Sequence, residues 1–390
     1  ILNIFNLKKA LYLIKFLFLK KNMSVEDFII FCCCFYFFQL LTYSIGVYRS
    51  YKEKSYHFTP SVSVIIAARN EEKNIGDCLL SLSNVDYPKD KLEIIIVNDH
   101  SEDNTQSIID SYKSLFYNFK TIIPEERNWK LLGKTNALAQ GIEHAKGEII
   151  ITSDADCTFK KTWIKDIVKY YDDTTGIVCG FTYVEHKNIF EGMQSLDWVY
   201  LLTVASGSFG LGIPLACVGN NMSFRKKAYD EVGGYQNLKF SITEDFALLQ
   251  AVVKTKKWKC KYPFETGNLA LSKACSSFKE IIKQKKRWGM GGKKAPFIGF
   301  VLMTAGFLIS GLTIFIPFIC TTLYYKLLVI TTKLVLDFLF LIFSLKKFNL
   351  LHLYKYFLVF EIYYTTYVFL LPFLVFINPR VEWKGRVYKS

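Results

Sequence analysis

The chain carries its hydrophobic residues in long runs at both ends and in short runs through its middle. An uncharged run extends from Phe28 to Tyr48. Three more lie near the end: Phe297–Tyr325, which has no charge, Leu327–Leu345, which carries Lys333 and Asp337, and Tyr356–Ile377, which carries Glu361. A run of about 20 apolar residues can cross a bilayer as a helix. We therefore predict flanking transmembrane helices. The prediction has least support for Leu327–Leu345, because its two charges are costly in lipid.

The middle of the chain has a different pattern, in which short apolar runs alternate with helical stretches. The β-branched run Ser61–Ala67 is entered through Pro60 and predicts a strand. Further strands are predicted at Leu92–Val97, Thr121–Ile123 and Glu148–Thr152, with a helix over Lys134–Ala145. Strands that alternate with helices over this length favour an open, mostly parallel α/β sheet.

Three of the predicted strands end in polar or acidic residues, at Arg69–Glu71, at Asp99 and at Asp154-Ala155-Asp156. Ligands of open α/β sheets bind beyond the carboxyl ends of the strands. Two closely spaced carboxylates suit Mg²⁺ or Mn²⁺, which take hard oxygen ligands and keep positions open for phosphates. A solvated turn is the alternative for Asp154 and Asp156, and a helix N-cap is the alternative for Asp99.

Two further segments carry candidate chemistry. Thr243-Glu244-Asp245 precedes an apolar stretch and offers a general base for an acceptor hydroxyl, or else an acidic first turn of a helix. Gln284-Lys285-Lys286-Arg287-Trp288 offers a cation for phosphate and an aromatic ring for a sugar, or else a basic helix at a membrane surface. The chain has neither GxGxxG after its first strand nor a Walker A sequence, which counts against dinucleotide oxidoreductases and P-loop enzymes.

The chain has a formal net charge of +15, and the positions of its basic residues indicate what this charge is for. Many flank the apolar runs, as Arg49, Lys52 and Lys54 do after the first one, and such residues mark the cytoplasmic side and anionic headgroups. No nucleic-acid motif is present, so we expect a lipid bilayer and not a nucleic acid as the partner of this charge. The ten cysteines form no CxxC pair and predict neither a disulfide framework nor a zinc site.

These patterns predict the following organisation. Met23 stands just before the first apolar run, so residues 1–22 are interpreted as an upstream extension. Then follow an N-terminal transmembrane anchor (23–49), a catalytic domain in the cytosol with an interfacial basic helix at its end (50–295), a C-terminal transmembrane region (296–378) and a basic tail (379–390). A tail on the cytosolic side requires an even number of crossings after the domain, whereas three apolar runs are present.

The order of the motifs resembles the membrane-integrated family 2 glycosyltransferases, which carry a QxxRW signature. The similarity covers residues 60–292. The matching segments are Val64–Glu71, Val97-Asn98-Asp99, Gly133–Leu138, Asp154-Ala155-Asp156, Gly219-Asn220-Asn221, Thr243-Glu244-Asp245 and Gln284–Trp288.

The resemblance implies a GT-A (nucleotide-diphospho-sugar transferase) fold and an inverting transfer. It implies a nucleotide pocket lined by Ala67, Arg69, Glu71 and Asp99, with Lys134 and Asp154 near the ribose and diphosphate. Asp154 and Asp156 would hold Mg²⁺ or Mn²⁺, with Asp156 the principal ligand, and Asp245 would be the catalytic base. Glu244, Gln284, Arg287 and Trp288 would close over the donor and line the acceptor site. Ala67 and Arg69 depart from the proline and the aromatic or polar residue that many relatives carry.

The function that these features predict is transfer of a sugar from a nucleotide diphosphate donor, UDP-linked by preference, to a membrane-associated lipid or glycan. The enzyme would be a multi-pass protein of the cell membrane. The first alternative is a processive polysaccharide synthase that extrudes a β-linked polymer. Four apolar runs are few for a protein that forms its own translocation channel. The second is a non-catalytic membrane binding module with the same fold. The sequence names no protein partner.

Overall fold

The structure, a computed structural model, describes residues 23–127, 131–239, 241–292, 295–377, 380–383 and 386–389. The predicted upstream extension, residues 1–22, lies outside these ranges. The chain divides into two compact units. The catalytic unit is Gly46–Cys275, and the helical unit combines the chain before Gly46 with the chain after Cys275. The basic helix, expected at the end of the catalytic domain, therefore belongs to the helical unit.

The first helix, α1 (Val25–Tyr51), crosses the border between the two units. In the catalytic unit the strands are β1 (Val62–Ala68), β2 (Leu92–Asn98), β3 (Phe119–Ile122), β4 (Ile149–Asp154), β5 (Thr158–Phe159), β6 (Thr175–Cys179), β7 (Thr182–Val184), β8 (Met222–Arg225), β9 (Lys259–Lys261) and β10 (Ala270–Ser272). The helices between them are α2 (Ile75–Ser83), α3 (Thr105–Tyr112), α4 (Lys134–Glu143), α5 (Trp163–Val168), α6 (Ile189–Gly210), α7 (Lys226–Glu231), α8 (Gly234–Asn237) and α9 (Glu244–Lys254).

Seven of these strands form one sheet in the order β3-β2-β1-β4-β8-β6-β9. The pairs among β3, β2, β1 and β4 are parallel, as is β6 with β9, while β8 runs antiparallel to β4 and β6. The predicted, mostly parallel α/β sheet is confirmed. The central strands consist almost wholly of buried apolar residues because helices cover both faces of such a sheet. A smaller sheet has the order β5-β10-β7.

The helical unit contains α10 (Phe278–Gly292), α11 (Phe297–Phe315), α12 (Leu323–Lys347), α13 (Phe357–Ile377) and a hairpin of β11 (Arg380–Trp383) and β12 (Arg386–Lys389). The long run Phe297–Tyr325 is not one helix, because a 3₁₀ turn at Ile316–Phe318 that contains Pro317 ends α11. Four described segments are long and apolar enough to cross a membrane: Val25–Tyr51, Phe297–Phe318, Leu323–Lys347 and Leu351–Ile377.

Candidate active site

The carboxyl ends of β1, β2 and β4 bring four of the predicted donor-site residues together. In the sheet register Ala67 lies beside Val97 on one side and beside Asp154 on the other. The backbone N–H of Asp99 donates to the Ala68 carbonyl at 2.8 Å, and Arg69 Nη1 donates to the Asp99 carbonyl at 2.9 Å. Because parallel strands end at one edge, residues from distant parts of the sequence share this surface.

The two loops that follow β1 and β2 are tied to each other by hydrogen bonds. The N–H of Glu71 donates to Thr105 Oγ1 at 2.8 Å, and the N–H of Asn70 donates to Ser101 Oγ at 3.0 Å. Asn70 has φ +53°, a left-handed conformation that asparagine tolerates better than most residues. Glu71 Oε2 accepts from Asn74 Nδ2 at 2.8 Å, which fixes the direction of this carboxylate.

Asp156 lies two residues beyond the end of β4, in a group of negative charges. Its burial, followed by the charges of Asp154 and Glu71, raises the pKa of Asp156 to about 6. The Cys157 thiol donates to Asp156 Oδ1 at 3.6 Å. A divalent cation would relieve this repulsion, and carboxylate oxygens are its preferred ligands, so the donor set fits Mg²⁺ or Mn²⁺. Within the described ranges no three or more His, Cys, Asp or Glu residues are arranged to hold a metal by themselves, so substrate phosphates would have to complete the coordination.

Lys134 connects the metal-site carboxylate to the segment that carries the predicted base. It is the first residue of α4, preceded by Gly133 at φ +55°. Its ammonium group pairs with the Asp154 carboxylate and lies 3.4 Å from Glu244 Oε1. The side chains of Lys134 and Glu244 are 15% and 10% exposed, so the contact is largely shielded from water. Glu244 is thereby held beside the donor-site residues.

Asp245, the predicted base, is positioned by a turn that is itself attached to β4. A Cβ added at Gly219 would lie 3.3 Å from Asp245 Oδ2, so the absence of a side chain at Gly219 makes room for this carboxylate. The Gly219–Asn221 turn is held because Thr152 Oγ1 donates to the Gly219 carbonyl at 3.2 Å and Ser153 Oγ donates to the Asn220 carbonyl at 2.5 Å.

Sequence reasoning gave Gly219-Asn220-Asn221 no role and did not mention Ser153 as a support. Ser153 stands at the acidic end of β4, but the turn lies far from it in the sequence, so the sequence carries no signal of their contact. The structure shows that a single strand, β4, carries Asp154 at its end and fixes the turn against Asp245.

Gln284, Arg287 and Trp288 lie on α10, in the helical unit, and not among the residues described above. Within that unit the ammonium group of Lys285 lies 4.3 Å from the centre of the Trp288 ring and 5.1 Å from that of Tyr367. The closure of these three residues over the donor stays a prediction.

The profile of Glycosyl transferase family 2 matches residues 63–233, and that of Glycosyl transferase family group 2 matches residues 149–378. The poly-beta-1,6-N-acetyl-D-glucosamine synthase of Staphylococcus epidermidis is 29% identical over 63% of this chain and 58% of its own length. The beta-monoglucosyldiacylglycerol synthase of Synechocystis sp. is 26% identical over 60% of this chain and 48% of its own length.

The match thus spans about half the length of these curated relatives. Among solved structures, the mannosyltransferase PcManGT from Pyrobaculum calidifontis, in complex with GDP-Man and Mn²⁺, has a similar fold, with a TM-score of 0.57 and 17% identity over 87% of this chain and 99% of that one. The predicted GT-A fold is confirmed. Because the group 2 profile covers more than half of the chain, this protein belongs to glycosyl transferase family group 2 and is a family 2 glycosyltransferase.

Proposed function

We propose that this glycosyltransferase moves a sugar, with inversion, from a nucleotide diphosphate donor to a lipid or glycan acceptor at the membrane. The observation that carries the proposal is the Lys134 bridge, which joins Asp154 of the DxD segment to Glu244, the residue before Asp245. The bridge relates the residues that would hold the diphosphate to the residue that would activate the acceptor. The names of the two curated relatives support a glycan or a lipid as the acceptor.

In this proposal Ala67, Arg69, Glu71 and Asp99 bind the nucleotide at the ends of β1 and β2. Asp156 and Asp154 would hold Mg²⁺ or Mn²⁺, which when bound neutralises charge on the leaving diphosphate. The Lys134 ammonium group adds positive charge near the same phosphates. Asp245 accepts the proton of the acceptor hydroxyl. The oxygen of that hydroxyl attacks the anomeric carbon from the face opposite the diphosphate.

The test is release of nucleoside diphosphate and labelled product from membranes supplied with a panel of UDP- and GDP-sugars, with and without Mg²⁺ or Mn²⁺. We expect Asp245→Asn to lower turnover by about 10²–10⁴-fold, the range of a general base, while donor binding is kept. Asp230→Asn removes an exposed carboxylate of the same unit and serves as the matched control. Near-normal turnover of Asp245→Asn would reject Asp245 as the base, and wild-type membranes inactive with every donor would reject the proposed function.

The same incubation distinguishes single addition from processive synthesis. The described chain has four candidate membrane spans, which are few for a protein that forms its own channel for a polymer. We therefore propose that one or a few sugars are added to each acceptor. Short products at every donor concentration are expected. A ladder that extends to long polymer would favour the processive alternative.

A further inference from the structure

The helical unit buries a group of ionisable side chains that the proposed transfer reaction does not use. Lys333 and Asp337 of α12 and Glu361 of α13 are 1%, 0% and 4% exposed. Lys333 Nζ donates to Asp337 Oδ2 at 2.6 Å and to Glu361 Oε2 at 2.9 Å. The Tyr36 hydroxyl of α1 donates to Asp337 Oδ1. We call these four residues the helix cluster.

The charges of the helix cluster do not balance if every group is ionised. One ammonium and two carboxylates leave one surplus negative charge, in helices whose apolar composition suits a bilayer. An uncompensated charge in such surroundings is strongly disfavoured, and the usual outcome is that the group takes up a proton. The aromatic rings nearby, Tyr364 at 5.1 Å and Tyr36 at 5.9 Å from Lys333 Nζ, stabilise the ammonium group and leave it positively charged.

The hydrogen bonds show which carboxyl takes the proton. Both oxygens of Asp337 accept hydrogen bonds from donors, as an ionised carboxylate does. Glu361 uses only Oε2 in this way, and its Oε1 has no hydrogen-bond partner among the described residues. A proton needs one oxygen, whereas a sodium ion needs several, so the open Oε1 atom fits a proton.

We propose that Glu361 holds a proton in the folded protein and that the neutral helix cluster locks α1, α12 and α13 together. Lys333 of α12 contacts Glu361 directly, and through Lys333 the group extends to Asp337 of α12 and Tyr36 of α1. The helix α10 also packs against α13, and its buried Lys285 lies over the Tyr367 ring at 5.1 Å. The segment α11 carries no charged side chain, and His352 and Lys355, on the turn before α13, are exposed. A protonation site in the helices is independent of the donor chemistry of the catalytic unit.

The first test is infrared spectroscopy of the full chain in lipid nanodiscs at about pH 7.5, where Asp156, with a pKa of about 6, is almost fully ionised and adds little to the band. We expect one C=O absorption of a protonated carboxyl group in the wild-type protein and its complete loss in Glu361→Gln. Glu126→Gln, which removes an exposed carboxylate, is the control and should keep the band. Absence of the band from the wild-type protein, or its survival in Glu361→Gln, would overturn the proposal.

The second test is thermal unfolding of the same samples across neutral and alkaline pH. Because the folded state holds the proton more tightly than the unfolded one, the wild-type melting temperature should fall as the pH rises. Glu361→Gln keeps the shape without the charge and should abolish this fall while it remains folded. A fall that persists in Glu361→Gln would overturn the proposal, as would stabilisation by sodium over choline chloride that this variant removes.

Discussion

Lys134 joins the predicted metal-site residue Asp154 to the segment that carries the predicted base. It stands between the carboxylates of Asp154 and Glu244, which are separated from each other by 90 positions in the sequence (244 − 154). Each carboxylate would repel the other without a cation between them. The lysine therefore does more than add charge for a phosphate, since it also holds the start of α9 against the end of β4.

Replacement of Lys134 by methionine should expose this second role. Lys134→Met keeps the length of the side chain and removes the charge, so Glu244 and with it Asp245 lose their restraint. We expect turnover to fall by about 10²-fold at saturating donor, the cost of a misplaced catalytic group. Steady-state assays that separate kcat from KM provide the measurement, with the exposed Lys161→Met as control. A rise in donor KM with kcat unchanged would limit Lys134 to donor binding.

For single residues, the sequence predicts which side chains belong to the candidate site better than it predicts the contacts between them. The strand ends alone pointed to Asp99, Asp154 and Asp156, because an apolar run followed by acidic residues has a simple structural meaning. The contact of Lys134 with Glu244 joins segments far apart in sequence and has no local signal. The same is true of Ser153 and Asn220, whose hydrogen bond places the turn beside Asp245.

At the scale of elements, the end of α1 crosses α6 closely within the catalytic unit. A Cβ added at Gly46 would overlap the carbonyl oxygen of Gly207, and one added at Gly210 would overlap the carbonyl oxygen of Gly46. Ser50 Oγ also donates to the Ser206 carbonyl at 2.8 Å. Small residues let two helices approach until their backbones touch, which is a common device in helix packing.

A side chain at Gly210 should therefore separate the two helices. We expect Gly210→Ala to lower stability by about 1–3 kcal/mol, the usual cost of overpacking. The matched control is Gly306→Ala in α11, where an added Cβ would have, among the described residues, only Gln39 Oε1 at 4.0 Å. That change should be neutral or slightly stabilising because alanine favours helix. Thermal unfolding in detergent provides the measurement, and equal melting temperatures for the two variants would contradict the close crossing.

The elements themselves were predictable where hydrophobic runs were long. The strands β1, β2 and β4 were predicted within two residues, since their buried positions form continuous apolar runs. The short strands β6, β8 and β9 were not predicted, because a few residues of mixed character give no period. The antiparallel pairing of β8 with β4 joins segments that are far apart in the sequence, and no sequence pattern predicted it.

At the scale of the whole molecule, the two charges in α12 had counted against a membrane crossing there. The structure pairs them with each other and with Glu361, which lowers the cost of placing these two charges in a bilayer. All four apolar segments thus remain candidates to span. The number of crossings must then be argued from the ends of the helices.

The basic tail gives the strongest indication of that number. Within the helical unit β11 packs beside α10, and a Cβ added at Gly289 of α10 would meet Leu371 and Val375 of α13 at 3.2 and 2.7 Å. The tail therefore lies beside α10, a helix rich in lysine, and we propose that the tail is cytosolic. The basic residues Arg380, Arg386 and Lys389 favour the cytosolic side.

Reporter fusions test this orientation. Green fluorescent protein fused after Ser390 should fluoresce, and alkaline phosphatase fused there should be inactive, because each reports a cytosolic end. Fusions after Cys320, in the exposed segment between α11 and α12, should behave in the opposite way if α11 crosses. An even number of crossings among α11, α12 and α13 then follows, so one of the three apolar helices lies within or along the membrane without crossing it. An active phosphatase after Ser390 would instead place the tail outside and require an odd number of crossings.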